Sequence, residues 1–222
     1  MHIFDDLESI CIAAQVLLHT HVMTQINTHP KLAPPVARTA VHTRKLTLNG
    51  YHREDGLWDI EGQITDRKAY DHLSSGGDTV PPGVAVHDMH IRLTMDNRMK
   101  ILDVATSIDS APFVDCAAAE SPMKQFIGLS IGPGWRSTID KLVGGTGGCT
   151  HVRELLGTMA TAAFQTIAPY RDHLRRQRGV VPRPLEQPPP FYGKCMTYDT
   201  NGPIVQRLTP QFVGWKPMTR HK

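Results

Sequence analysis

Gly147-Gly148-Cys149-Thr150-His151 is the segment whose residue types and spacing come nearest to a chemical site. Two glycines let the backbone bend sharply just before a helix. The cysteine then stands at the positive end of that helix, where unpaired N–H groups favour a thiolate, the nucleophilic and metal-binding form. Cys-x-His also brings two donors of metal-ligand type to one ion from a single turn. The competing reading is a buried, inert cysteine beside a surface histidine. Two further places carry ligand-type residues. Cys116 follows Pro112 and is close to Asp109 and Asp115, and His87-Asp88 interrupts an apolar run. A metal centre built from His87, Asp88, Cys116, Cys149 and His151 would join all three, with His87 and His151 as alternative imidazole ligands. Two thiolates with an imidazole and a carboxylate suit mononuclear zinc or iron(II) better than an iron–sulfur cluster, which wants mainly thiolates.

Arg53, Asp55, Asp59 and Glu61 flank Gly56-Leu57-Trp58. They read as a substrate pocket with Arg53 and Trp58 as binding groups and Asp59 or Glu61 as general base. The structural alternative pairs the two acids with Arg44 or Arg53 across a hairpin. His52, His72 and His90 read as surface residues, and Cys11 and Cys195 fall in the terminal extensions. Gly132-Pro133-Gly134 lacks the spacing and the Lys-Ser/Thr end of a phosphate loop.

The elements that must position these groups follow from periodicity. Residues 41–48 alternate, and Asn49-Gly50 is a hairpin-type turn signal. A second strand covers Leu57 to Asp66, and residues 74–83 form a polar, glycine-rich loop. Val84–Met95 and Met99–Ile108 read as two strands joined by Asp96-Asn97. Alternation puts His87, Met89, Ile91 and Leu93 on one face and His90 on the other. Trp135–Val143 reads as a helix stopped by glycines. Val152, Leu155, Leu156, Met159, Ala163 and Ile167 form one helical stripe, with Thr150 as N-cap and Pro169 as limit or kink. The expected fold is therefore α+β, an antiparallel meander of three or four strands packed by C-terminal helices. Residues 1–36 read as a helical extension and linker, 37–178 as a single metal-binding domain, and 179–222 as an extended Pro-rich tail.

Bulk properties bound the function. The 222 residues suffice for one well-buried domain with extensions, and 40% hydrophobic with 20% charged residues is ordinary for a globular chain. A net charge of +3 without a dense basic stripe argues against nucleic-acid binding. No run reaches the 18 or so apolar residues of a membrane span, and Asp5, Asp6 and Glu8 are the wrong charge for a signal peptide. Four scattered cysteines are no disulfide framework, and twelve histidines raise the prior for metal chemistry. These readings lead to a cytoplasmic protein with a small-molecule substrate, no nucleic-acid or membrane partner, and scope for a homo-oligomer.

Several longer motifs stand out: Tyr51-His52-Arg53-Glu54-Asp55-Gly56-Leu57-Trp58-Asp59-Ile60-Glu61-Gly62, His87-Asp88-Met89 with Arg92-Leu93-Thr94, Ile131-Gly132-Pro133-Gly134-Trp135-Arg136, Gly148-Cys149-Thr150-His151 and Ala162-Ala163-Phe164-Gln165-Thr166. Through them the chain from about His42 to Ile167 resembles the bacterial family known as domain of unknown function 2889. That resemblance implies a link to bacteria that degrade aromatic acids. A weaker resemblance joins Val86–Ile167 to the iron–sulfur cluster assembly scaffold fold. It implies Asp88 as the acidic ligand, His87 near one cysteine position, Cys116 at a second and Cys149 near a third. The chain departs from that pattern by lacking the first cysteine and by having Thr150-His151 after Cys149. The expected function is a mononuclear metalloenzyme, a metal-dependent hydrolase or lyase acting on a small carboxylated or aromatic metabolite. The alternative is a non-catalytic metal or iron–sulfur carrier.

Overall fold

A computed structural model of the chain describes residues 36–180, 185–189 and 191–216. The N-terminal helix expected over 1–36 lies almost wholly outside the described residues. Four long strands form one antiparallel sheet: β1 (His42–His52), β2 (Trp58–Lys68), β5 (Ala85–Met95) and β6 (Ile101–Ser110), in the order β1-β2-β5-β6. A two-stranded ribbon, β3 (His72–Leu73) with β4 (Thr79–Val80), occupies the glycine-rich excursion between β2 and β5. After β6 come two 3-10 segments, Val114–Ala119 and Ser121–Phe126, then helix α1 (Trp135–Val143) and the long helix α2 (Thr150–Gln177). The α+β meander with C-terminal helices is thus the fold. Among the described residues no helix is long and apolar enough to cross a membrane.

Strand alternation sorts the sheet into two unlike faces. Leu46, Ile64, Met89 and Ile108 form one cross-strand rung, and Gly50, Ile60, Leu93 and Val104 form another. The buried members of these rungs meet Val152, Leu155, Leu156, Met159, Ala163 and Ile167 of α2 in one core. Each fully buried aliphatic side chain contributes roughly 1.5–3 kcal/mol, so this interface fixes how α2 lies on the sheet. Met123, Phe126, Trp135 and Ile139 close the core at the side of β6, and Trp135 Nε1 donates to the Leu156 carbonyl at 2.9 Å. The opposite face carries Asp59, Glu61, Gln63, Asp88, His90 and Arg92, partly or wholly exposed.

Three local expectations differ from the structure. Asn49-Gly50 is not a turn, because β1 runs through it to His52 and the chain reverses at Arg53–Leu57, with Gly56 at φ 82°. Gly50 serves packing instead: a Cβ there would lie 2.0 Å from Thr166 Oγ1 of α2, so only glycine lets the helix approach β1 this closely. Helix α2 begins one residue earlier than a Thr150 cap would give, with Cys149 as its extended N-cap residue, and it passes through Pro169 to Gln177. The C-terminal segment is more than an extended tail. Residues 191–216 include helix α3 (Pro203–Leu208) and gather Tyr192, Val205 and Phe212 into a small cluster of their own. Pro203 and Pro210 each sit in the first turn of a helical segment, where proline is tolerated.

Candidate metal centre

The core face does not stay apolar along its whole length. One step beyond the Leu46-Ile64-Met89 rung the paired residues are Arg44, Asp66 and His87, on β1, β2 and β5. These side chains share the face of the core residues, and the start of α2 comes down over them with Cys149, His151 and Glu154. A bulge in the β2–β5 pairing follows Asp66: Asp66 pairs with His87 and Arg67 with Ala85, so Val86 is the extra residue. A polar rung thus ends the hydrophobic ladder where sheet meets helix.

Asp66 is the centre of this rung, with its side chain only 4% exposed. Arg44 grips it with two hydrogen bonds, Nε to Oδ1 at 2.8 Å and Nη2 to Oδ2 at 2.9 Å. His42 Nε2 lies 2.8 Å from Oδ1 and His87 Nδ1 lies 3.1 Å from Oδ2. His151 Nε2 stands 3.8 Å from Oδ2. Burial pushes the Asp66 carboxyl up, but the Arg44 and His42 hydrogen bonds outweigh it and hold the group at about 2. Arg44 also reaches α2 through Nη1 to Glu154 Oε2 at 2.9 Å, so one guanidinium ties β1, β2 and the helix together.

The two histidines sit face to face, with ring centroids 3.9 Å apart and planes 32° from parallel. Burial pushes the pKa of His87 below its ordinary value, against the pull of Asp66. Burial lowers that of His151 as well, and the neighbouring His87 and Arg44 add to the effect. Both imidazoles are therefore neutral at pH 7, the form that ligates a metal. Cys149 Sγ lies 3.6 Å from His151 Nδ1 and 4.0 Å from Met89 Sδ.

Asp66, His87 and His151 form a group of metal-ligand type: one ligand atom from each lies within 4.8 Å of the others. Two nitrogen or oxygen ligands of one tetrahedral ion at about 2.0–2.1 Å stand roughly 3.3–3.4 Å apart. The 3.1 and 3.8 Å separations from Asp66 Oδ2 bracket that value. The donors, two neutral imidazoles and a carboxylate, suit a divalent transition metal.

The other residues singled out in the sequence lie elsewhere. Asp88 is next to His87 on the strand and so faces the opposite way, accepting from Gln63 Nε2 at 2.8 Å and lying 3.0 Å from His90 Nε2. Cys116 is in the 3-10 segment Val114–Ala119 and stands outside the three-residue group; Cys149 borders that group without belonging to it. Asp59 and Glu61 are one strand position out of phase with Asp66 and project from the outer face. There Asp59 accepts from Thr94 Oγ1 at 2.6 Å and Arg53 Nη1 at 3.3 Å, while Glu61 lies 3.9 Å from Arg92. Trp58 is 1% exposed and donates from Nε1 to Asn97 Oδ1 at 3.1 Å; it is a core residue that also lines a surface pocket with His52, Thr166 and Tyr170, away from the Asp66 group. Sequence reasoning missed Asp66, Arg44 and His42. The signal was phase: Asp66 keeps step with Trp58, Ile60 and Ile64, and Arg44 with Leu46 and Leu48, each a charge on an apolar face.

No curated protein and no solved structure matches the chain. Residues 42–165 match the family described as "Protein of unknown function (DUF2889)", a span that begins at His42 and takes in Asp66, His87, Cys149 and His151. With more than half of its length inside that match, the chain belongs to this family.

Proposed function

We propose that this domain is a mononuclear metalloenzyme whose divalent ion is held by Asp66, His87 and His151. The observation that carries the reading is the convergence of these three side chains, one carboxylate and two neutral imidazoles, on one point at the rim of the core. Three protein ligands leave at least one coordination position open for water or a substrate oxygen, the arrangement of catalytic rather than structural sites. Bound there, zinc or iron(II) would supply Lewis acidity for a hydrolase or lyase reaction. The ion would take the place of the proton that His87 Nδ1 directs at Asp66 in the metal-free protein.

The charge balance supports a small carboxylated substrate. A divalent ion and Arg44 together outweigh Asp66 and Glu154 by one positive charge, which favours a monoanion. His42, its side chain 47% exposed and hydrogen-bonded to Asp66 Oδ1, takes the general-base role in place of Asp59 and Glu61. Among the described residues only one thiol borders the ligand group, so an iron–sulfur carrier is the poorer fit.

Metal analysis of protein purified after growth with zinc or iron(II) tests the reading. One equivalent in the wild type, lost in His87→Ala and in the near-isosteric Asp66→Asn, is the expected result. A wild type that retains no metal and takes none up on dialysis against zinc, iron(II) or cobalt(II) overturns it.

A further inference from the structure

We infer that Cys149 is a positioning residue for His151 and stays outside the coordination sphere of the ion. The inference rests on the metal reading above and assigns a part to the one cysteine that borders the site among the described residues.

The geometry divides the two ring nitrogens of His151 between two neighbours. Nε2 is on the side of Asp66, 3.8 Å from Oδ2, and Nδ1 is on the side of Cys149, 3.6 Å from Sγ. A neutral imidazole carries one N–H. If Nε2 offers its lone pair to an ion beside Asp66, the hydrogen must be on Nδ1, where the sulfur is the acceptor. The thiol hydrogen has its own partner in Met89 Sδ at 4.0 Å. The result is a directed chain from His151 Nδ1–H to Cys149 Sγ and from Cys149 S–H to Met89. A thiol used in this way has both its hydrogen-bonding roles filled. A thiolate ligand would have to give up the Met89 contact and swing past the imidazole that it now backs.

The backbone makes the same assignment. Cys149 is the extended N-cap residue of α2, and His151 is in the first helical turn. The two side chains are therefore held two residues apart across a helix start, with Met89 in the fully buried core beneath them. Metal-bound histidines ordinarily donate their second ring N–H to a carboxylate, a carbonyl or water, which fixes tautomer and ring orientation. Here a thiol fills that place.

Cobalt(II) serves as the probe, because a thiolate ligand gives it an intense near-ultraviolet charge-transfer band. The cobalt-loaded wild type should lack that band. Cys149→Ser, whose hydroxyl can accept from Nδ1, should bind cobalt within about 3-fold of wild type. Cys149→Ala should weaken binding roughly 10- to 100-fold, the usual cost of removing such a partner. In the zinc-loaded protein, nitrogen NMR of labelled imidazoles should show the His151 hydrogen on Nδ1 in wild type and in Cys149→Ser. A charge-transfer band in the wild type that disappears in Cys149→Ser overturns the inference, as does wild-type affinity in Cys149→Ala. Uptake of no cobalt by the wild type overturns the metal reading and this inference with it.

Discussion

The sheet has one core face with two unlike ends. At one end the last rung is His52, Trp58, Met95 and Ile101; near the other, with only the His42–Lys68 pair beyond it on that face, is the rung of Arg44, Asp66 and His87. Trp58 is flanked by His52 and Tyr170, with ring centroids 4.5 and 5.8 Å away, and its single polar atom is satisfied by Asn97. That end is closed by area: a large ring that brings its own hydrophobic stabilisation and asks for one hydrogen bond. The other end buries a carboxylate that gains nothing from leaving water and must be held by Arg44 and two histidines. A fold does not need such a rung for stability, since an apolar one would serve. The difference between the two ends is therefore the physical reason for placing function at the second.

That contrast can be broken at either end. The largest effect should come from Trp58→Ala, which removes a fully buried indole and should lower stability by about 3–5 kcal/mol in denaturant unfolding. The protein that remains folded should keep its metal, because the indole touches none of the three ligands. Asp66→Asn should lose less stability, about 1.5–3 kcal/mol, as the Arg44 hydrogen bonds lose their charged acceptor. It should lose all retained metal. Equal metal content in Asp66→Asn and wild type would remove the distinction between the ends.

Acid titration of the metal-free protein sharpens the comparison. His87 and His151 have folded pKa values below the ordinary 6.5, so the unfolded chain takes up protons first and stability should fall as pH drops below about 6.5. Asp66 moves from 3.8 unfolded to about 2 folded, a contribution of about 2 kcal/mol that is present above 3.8 and lost as pH falls toward 2. Urea unfolding at a series of pH values should show both declines, and Asp66→Asn should lack the lower one. The smallest effect belongs to the outer face. Glu61→Gln, with its acid 3.9 Å from Arg92 and exposed, should leave stability within about 0.5 kcal/mol and metal content unchanged.

Periodicity made much of the fold legible. The stripe from Val152 to Ile167 is buried as its spacing implies, and His87 shares a face with Met89, Ile91 and Leu93. Cys149 and His151 are adjacent because two residues across a helix start cannot be far apart. What could not be read was which distant groups meet them. His87 and Asp88 are neighbours in sequence and on opposite faces in space, and Asp66 reaches His87 only through the β2–β5 register. Asn49-Gly50 misled for a related reason: its turn preference is local, and the close approach of Thr166 that gives Gly50 its use comes from 116 residues away.

The bulge after Asp66 has a consequence for how this family can vary. With Val86 as the odd residue out, the mismatch between β2 and β5 is absorbed beyond the pair formed by Asp66 and His87. Lengthening or trimming the excursion from Ala69 to Val84 would then leave Asp66 and His87 opposite each other in the same register.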